Sequence, residues 1–162
     1  MKRVIISGYF NPLHIGHLAY LKEAKKLGDY LIVIVNNDIQ RKLKGSQPFM
    51  NEQERMEIVK ALKCVDEVVL SKDKDRTVCY TLEVIKSVYW TDELIFANGG
   101  DRGKDNIPEA KVCKRHNVKT IFGVGGENKI QSSSILLKKK KVNPAKRFPL
   151  RYMEDGATKD LI

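Results

Sequence analysis

Apolar and polar positions follow two rhythms along this chain, and the rhythms take turns. Val4–Ser7 is a short β-rich run, and Tyr30–Val35 is apolar without interruption, as a strand covered on both faces should be. Between them, His17–Leu27 sets Leu18, Leu21 and Ala24 among Lys22, Glu23, Lys25 and Lys26, the period of a helix with one buried side. Gly28 is placed to cap that helix at its C-terminus. A polar, basic loop is expected over 36–49, and Lys42 and Lys44 fall in it beside Gly45, in a segment mobile enough to close over a polyphosphate. Asn51 then caps a helix at capping-box spacing from Glu54, with Met56, Val59, Ala61 and Leu62 on its apolar side. The alternation continues with a strand at Val65–Leu70, a helix at Thr77–Val88 and a strand at Leu94–Ala97. A helix at Ile107–His116 follows, with Pro108 in its first turn, then a strand at Thr120–Val124 and a short helix at Ser132–Lys140. Five strands alternating with helices predict an α/β fold, a doubly wound parallel sheet with helices on both faces.

In such a sheet ligands sit beyond the carboxyl ends of the strands, and the chemistry-bearing residues fall there. After the first strand comes Gly8-Tyr9-Phe10-Asn11-Pro12-Leu13-His14-Ile15-Gly16-His17. A glycine turn, two imidazoles three residues apart and a helix start together suit a polyphosphate. Free N–H groups and the partial positive charge of a helix N-terminus attract phosphate oxygens, and imidazoles can donate to charge growing on phosphorus. Gly16 lets backbone and ligand approach closely. The blander reading of His14 and His17 is a helix entry with two partly exposed histidines.

Ser132, Ser133 and Ser134 precede Ile135-Leu136-Leu137, so their hydroxyls stand at a helix N-terminus where β- and γ-phosphates can be held; an ordinary serine cap is the alternative. Arg55 is suited to clamp phosphate bidentately. Asn98, Gly99, Gly100 and Asp101 close a buried strand in glycines, which lets a base lie against backbone. Neither a Walker A loop nor a complete G-x-G-x-x-G is present. No third ligand sits near the two histidines, so a zinc site is not expected.

Length, charge and cysteines then bound the picture. At 162 residues the chain suits one core rather than two. No apolar run approaches the roughly 20 residues of a membrane span, and Met1 leads straight into a strand without a secretory segment. Cys64, Cys79 and Cys113 are scattered and odd in number, as reduced thiols of a cytoplasmic protein are. Residues 138–162 carry eight bases and three acids, half of the net charge of +10. The last part of this stretch, 143–162, with four of those bases, reads as a basic tail appended to a domain over 1–142. With only Phe148 and Tyr152 interleaved, it offers little of the stacking platform that nucleic acid needs.

These residues together resemble the cytidylyltransferase-like nucleotidyltransferase superfamily. Gly8 to His17 is similar to its strand-loop-helix motif with His-x-Gly-His, and Ser132–Ser134 to its serine/threonine-rich second motif. Glu52-Gln53-Glu54-Arg55-Met56, Val65-Asp66-Glu67-Val68-Val69 and Gly99-Gly100-Asp101 fall in family-like order. The nearest likeness is to sugar-phosphate enzymes, such as heptose 1-phosphate adenylyltransferase and glycerol-3-phosphate cytidylyltransferase.

The resemblance implies a Rossmann-like fold and a transferase. It would move a nucleoside monophosphate from CTP or ATP to a small phosphorylated acceptor, a sugar or alditol phosphate, with release of pyrophosphate. It further implies Mg²⁺ with the triphosphate, catalytic roles for His14, His17, Lys44 and Arg55, and a homodimer as the common assembly. Gly8, Tyr9, Phe10, Asn11, Gly16, Gly99, Asp101, Lys129 and Ser132–Ser134 would bind the nucleotide. Two positions depart from the sugar-phosphate pattern. Asn11 replaces an aspartate, and Phe10-Asn11-Pro12 is similar instead to pyridine-mononucleotide adenylyltransferases. A basic residue commonly precedes the second motif, and Lys129 is the nearest candidate here. A competing class is a non-catalytic nucleotide- or RNA-binding module of the same fold.

Overall fold

The apolar runs Val4–Ile6 and Leu31–Val35 are completely buried and lie side by side at the centre of a sheet. The computed structural model describes residues 1–99, 107–126 and 132–138. Its strands are β1 (Lys2–Gly8), β2 (Tyr30–Val35), β3 (Glu67–Leu70), β4 (Glu93–Gly99) and β5 (Lys119–Val124). Its helices are α1 (Ile15–Lys25), α2 (Asp38–Leu43), α3 (Glu52–Lys60), α4 (Cys79–Val88), α5 (Pro108–Arg115) and α6 (Ser133–Lys138). All strand pairs are parallel, in the order β3-β2-β1-β4-β5. The chain therefore winds outward from β1 in one direction and returns to wind outward in the other. The reversal lies between β1 and β4, and that is where a doubly wound sheet opens a crevice.

Helices cover both faces. Leu21 and Ala24 of α1 and Val59 of α3 pack on Val4, Ile6, Leu31, Val33 and Ala97. Leu82 and Ile85 of α4, with Val112 and Cys113 of α5, pack on Ile5, Ile32, Ile34, Leu94 and Phe96. The even and odd positions of each strand divide between the two layers, because successive side chains point to opposite faces. At about 25 cal/mol per Å² of apolar surface, this two-layer burial is the main stabilising term. No helix among the described residues is long and apolar enough to cross a membrane.

Two local expectations are corrected. Gly28 is not the cap of α1, which ends at Lys26 in right-handed conformation. A Cβ at Gly28 would come 2.7 Å from the Lys2 carbonyl oxygen, so it is the close approach to β1 that requires glycine there. The segment 36–49 is not a continuous mobile loop, because α2 occupies its middle. Asn37 and Gln40 cap α2 reciprocally. Gln40 is fully buried and donates to the carbonyls of Asp75 and Thr77. Lys42 lies in the last turn of α2, and Lys44 is its C-cap. The expected capping box of α3, Asn51 with Glu54, is present.

Candidate active site

α1 starts on an imidazole. His14, extended at φ −147° and ψ 173°, is the N-cap, and its Nδ1 accepts from the backbone N–H groups of Gly16 (3.1 Å) and His17 (3.4 Å). Accepting at Nδ1 leaves the proton of the neutral ring on Nε2. The His17 ring stacks on His14 with centroids 3.8 Å apart, and Phe10 meets His17 edge-on at 5.0 Å. Burial holds the His17 pKa down, to about 3, with His14 and the Lys44 charge adding to the effect. Burial also lowers His14. Both rings are therefore neutral near pH 7, as hydrogen-bond donors and not as cations. Nδ1 of His17 is buried without a partner among the described residues.

The loop that leads into α1 is held at several points. Phe10 is buried at φ +50°, a conformation that non-glycine residues rarely adopt and that clusters at functional sites. Its ring lies where a Cβ on Gly8 would be, 2.7 Å away, so Gly8 makes room for Phe10. Asn11 is buried, and its side-chain oxygen accepts from the Phe49 and Met50 N–H groups while its Nδ2 donates to the Gln47 carbonyl. The expected nucleotide ligand Asn11 thus spends its side chain on segment 47–50.

Arg55 differs from expectation in the same way. It is fully buried in α3, and its guanidinium donates to the carbonyls of Tyr9 (2.8 Å) and Asn36 (2.7 Å) and to Asp38 (2.8 Å). It ties the ends of β1 and β2 to α2 from below. Lys44 does face the site, with Nζ 4.4 Å over the Tyr9 ring.

The serine segment reaches this loop. Ser133 Oγ donates to the Pro12 carbonyl at 2.9 Å, and the Ser132 carbonyl receives the N–H groups of Ile135 and Leu136. Ser134 is exposed. The two motifs, 121 residues apart in sequence, are thus in contact. Gly99 packs against Tyr20, where a Cβ would come 2.8 Å from the ring, and the Tyr20 hydroxyl donates to the Ala97 carbonyl at 2.6 Å. Asp101 and Lys129, like the tail 143–162, lie outside the described residues. Among the described residues no group of three or more His, Cys, Asp or Glu side chains could hold a metal ion.

On the other side of the β1 end is a cleft that the sequence motifs marked only at Gly8 and Tyr9. Ser7, Tyr9, Asn36, Arg76 and Glu109 line it. They come from four separated segments, and only the rule that ligands bind at the carboxyl ends would have drawn attention to the rest.

This architecture and the motif pair define a nucleotidyltransferase. Residues 5–152 match the cytidylyltransferase-like family model, and the chain belongs to that family. It is 43% identical over 141 residues to an FAD synthase of Thermoplasma volcanium, covering 86% of this chain and 94% of that one. Over 113 residues it is 48% identical to the bifunctional protein HldE of Syntrophotalea carbinolica, covering 68% of this chain but 21% of that longer protein. A crystal structure of a lipopolysaccharide core biosynthesis protein from Thermoplasma volcanium superposes with a TM-score of 0.58 at 31% identity, covering 81% of this chain and 99% of that one.

Proposed function

We propose that this nucleotidyltransferase moves the adenylyl group of ATP onto the phosphate of FMN, forming FAD and pyrophosphate. The observation that carries the transfer chemistry is the stacked His14–His17 pair at the start of α1, joined to the second motif through Ser133. The FAD synthase likeness over nearly the whole of both chains supports the acceptor. It also favours ATP over CTP, because FAD differs from FMN by an adenylyl group. In the reaction an oxygen of the acceptor phosphate bonds to the α-phosphorus, and the bond from that phosphorus to the bridging oxygen of pyrophosphate breaks. An ionised phosphate needs no strong base, so catalysis is positioning plus charge stabilisation.

The roles proposed for these residues draw on the geometry of the described ones. Nε2–H of His14 and the neutral ring of His17 donate to the α-phosphate as its charge builds. Ser132–Ser134 hold the terminal phosphates, Lys44 neutralises them, and Tyr9 and Gly16 meet the nucleotide, with Asp101 and Lys129 as further contacts; Gly8 and Gly99 serve it indirectly, through the room they make for Phe10 and Tyr20. Asn11 and Arg55 act as positioning residues that keep the loop carrying the histidines in place. Mg²⁺ bound with the triphosphate would neutralise part of its charge, beside Lys44 and the serine segment. Residues 1–142 form the catalytic unit in this reading.

Chromatography of a reaction of the protein with ATP, MgCl₂ and FMN should show FAD. A second reading, transfer to a sugar phosphate, draws on the HldE likeness. Product with heptose 1-phosphate and none with FMN would replace the first reading by the second.

A further inference from the structure

The cleft beside the end of β1 shares Gly8 and Tyr9 with the nucleotide loop, and the rest of its lining is mostly a set of polar donors and acceptors. Ser7 follows Ile5 on the face that α4 and α5 cover. Asn98 follows Phe96 on that same face, and Ile5 pairs with Phe96, so the register continued by two residues sets Asn98 beside Ser7, next to the cleft and behind the residues that line it. The Asn98 side chain is 4% exposed, and its Nδ2 has no hydrogen-bond partner among the described residues. Buried amide donors are almost always paired, and one that is not calls for an unseen partner. Glu109, 5% exposed in the first turn of α5, takes the Val78 N–H on one oxygen at 3.0 Å; a carboxylate accepts several donors, so it has capacity for more. Arg76 stands exposed at the rim and makes no ion pair among the described residues.

Together these groups match one ligand chemistry. A carboxylate acceptor, an amide donor and a serine hydroxyl read the hydroxyl pattern of a polyol, and a guanidinium takes a phosphate in a forked pair of bonds. The lining is mostly polar, with Val78 and Tyr9 the apolar exceptions, so a flat apolar ring is not what the floor selects. The position is also right for transfer. Gly8 and Tyr9 line the cleft and lead directly into the loop of Phe10 and His14, which sets the cleft next to the histidine pair.

We propose that this cleft binds the polyhydroxylated arm of the acceptor, with Asn98 and Glu109 reading its hydroxyls and Arg76 holding its phosphate. The proposal rests on the nucleotidyl-transfer reading above. It covers the ribityl phosphate of FMN and the ring of a sugar phosphate alike, and the test separates them.

Pyrophosphate release is measured for wild type, Asn98→Ala, Glu109→Gln, Arg76→Ala and Arg76→Lys. Each is assayed with ATP and either FMN or heptose 1-phosphate, and thermal midpoints are recorded alongside. The expected result is a rise of about tenfold or more in the KM of whichever acceptor is turned over, partly rescued in Arg76→Lys, with the KM for ATP within about twofold of wild type. Arg76 is exposed, so its variants read binding without a folding defect. Unchanged acceptor KM values in Arg76→Ala and Asn98→Ala, with wild-type turnover intact, would overturn the cleft assignment and leave the transfer reading standing. Turnover of heptose 1-phosphate alone would overturn the FMN reading while the variants still judge the cleft. No pyrophosphate release by wild type with either acceptor would overturn both.

Discussion

The two ends of the sheet are built from different polar chemistry. At the amino end the ion pairs lie outside the core: Met1 with Asp92, Lys2 with Glu93 and Lys25 with Asp66 at or near the surface, and Arg3 with Asp92 in a partly buried contact. At the carboxyl end the polar groups are buried. Asn11, Asn36, Asn37, Gln40, Arg41, Arg55, Ser71, Asp73, Thr81, Asn98 and Glu109 are all the buried polar or charged side chains among the described residues, and every one belongs to that end. Exposed pairs contribute little to stability, whereas buried polar groups hold unique geometry only when satisfied together. Apart from the partly buried Arg3–Asp92 pair, the amino end thus tolerates change, and the carboxyl end trades tolerance for placement of its loops.

The contrast is broken most severely at Arg55. Arg55→Met removes donors from two loop carbonyls and from Asp38, and should cost about 3–5 kcal/mol, read as a lowered denaturant midpoint with turnover lost alongside. Next comes His17→Ala. Turnover should fall roughly a hundredfold, about 2.7 kcal/mol, while the fold survives; near-normal turnover would remove the histidine pair from the mechanism. Asn11→Asp keeps the acceptor toward Phe49 and Met50 but turns a donor to the Gln47 carbonyl into a repelling oxygen. A loss of about 1–3 kcal/mol and faster proteolysis across 47–50 are expected.

A milder probe is acid. An imidazole titrates near 6.5 when unfolded, and His17 near 3 when folded. Unfolding between those pH values takes up a proton at this site. The contribution of His17 is therefore complete above pH 6.5 and is lost as the pH falls toward 3. Denaturant midpoints of wild type and His17→Gln at pH 7 and pH 5 should show a smaller drop in the variant, and equal drops would contradict the burial of this ring. The smallest effect belongs to the surface. Lys26→Ala removes an exposed pair with Glu23 and should change stability by less than about 0.5 kcal/mol.

What could be read in advance follows the same division. β2 was legible to the residue because Tyr30–Val35 is apolar throughout, and α3 because its cap and N3 residues stand three apart. α2 was hidden. It is only six residues long, and its decisive residue, Gln40, looks like a surface side chain until the carbonyls of Asp75 and Thr77 surround it. The histidines and serines announced themselves as local motifs. Arg55 and Asn11 were visible as residues, but their partners, carbonyls of distant loops, exist only after folding. The cleft of Ser7, Asn36, Arg76 and Glu109 was not legible as a site: the strand-end rule pointed to the ends of β1 and β2, but no two of these residues lie within one short segment. Motifs carried by one turn of chain are legible, and sites assembled across strands require the topology.

In the proposed reaction His14 fills two positions with one side chain: Nδ1 closes the helix start, and Nε2 would serve the ligand. Asparagine, serine or aspartate could take over the first duty but not the second. A descendant of this protein that abandoned transfer and kept the fold would then be expected to show one of those three at position 14. Such a replacement would let a reader recognise, from a single residue, an enzyme that has retired into a binding protein.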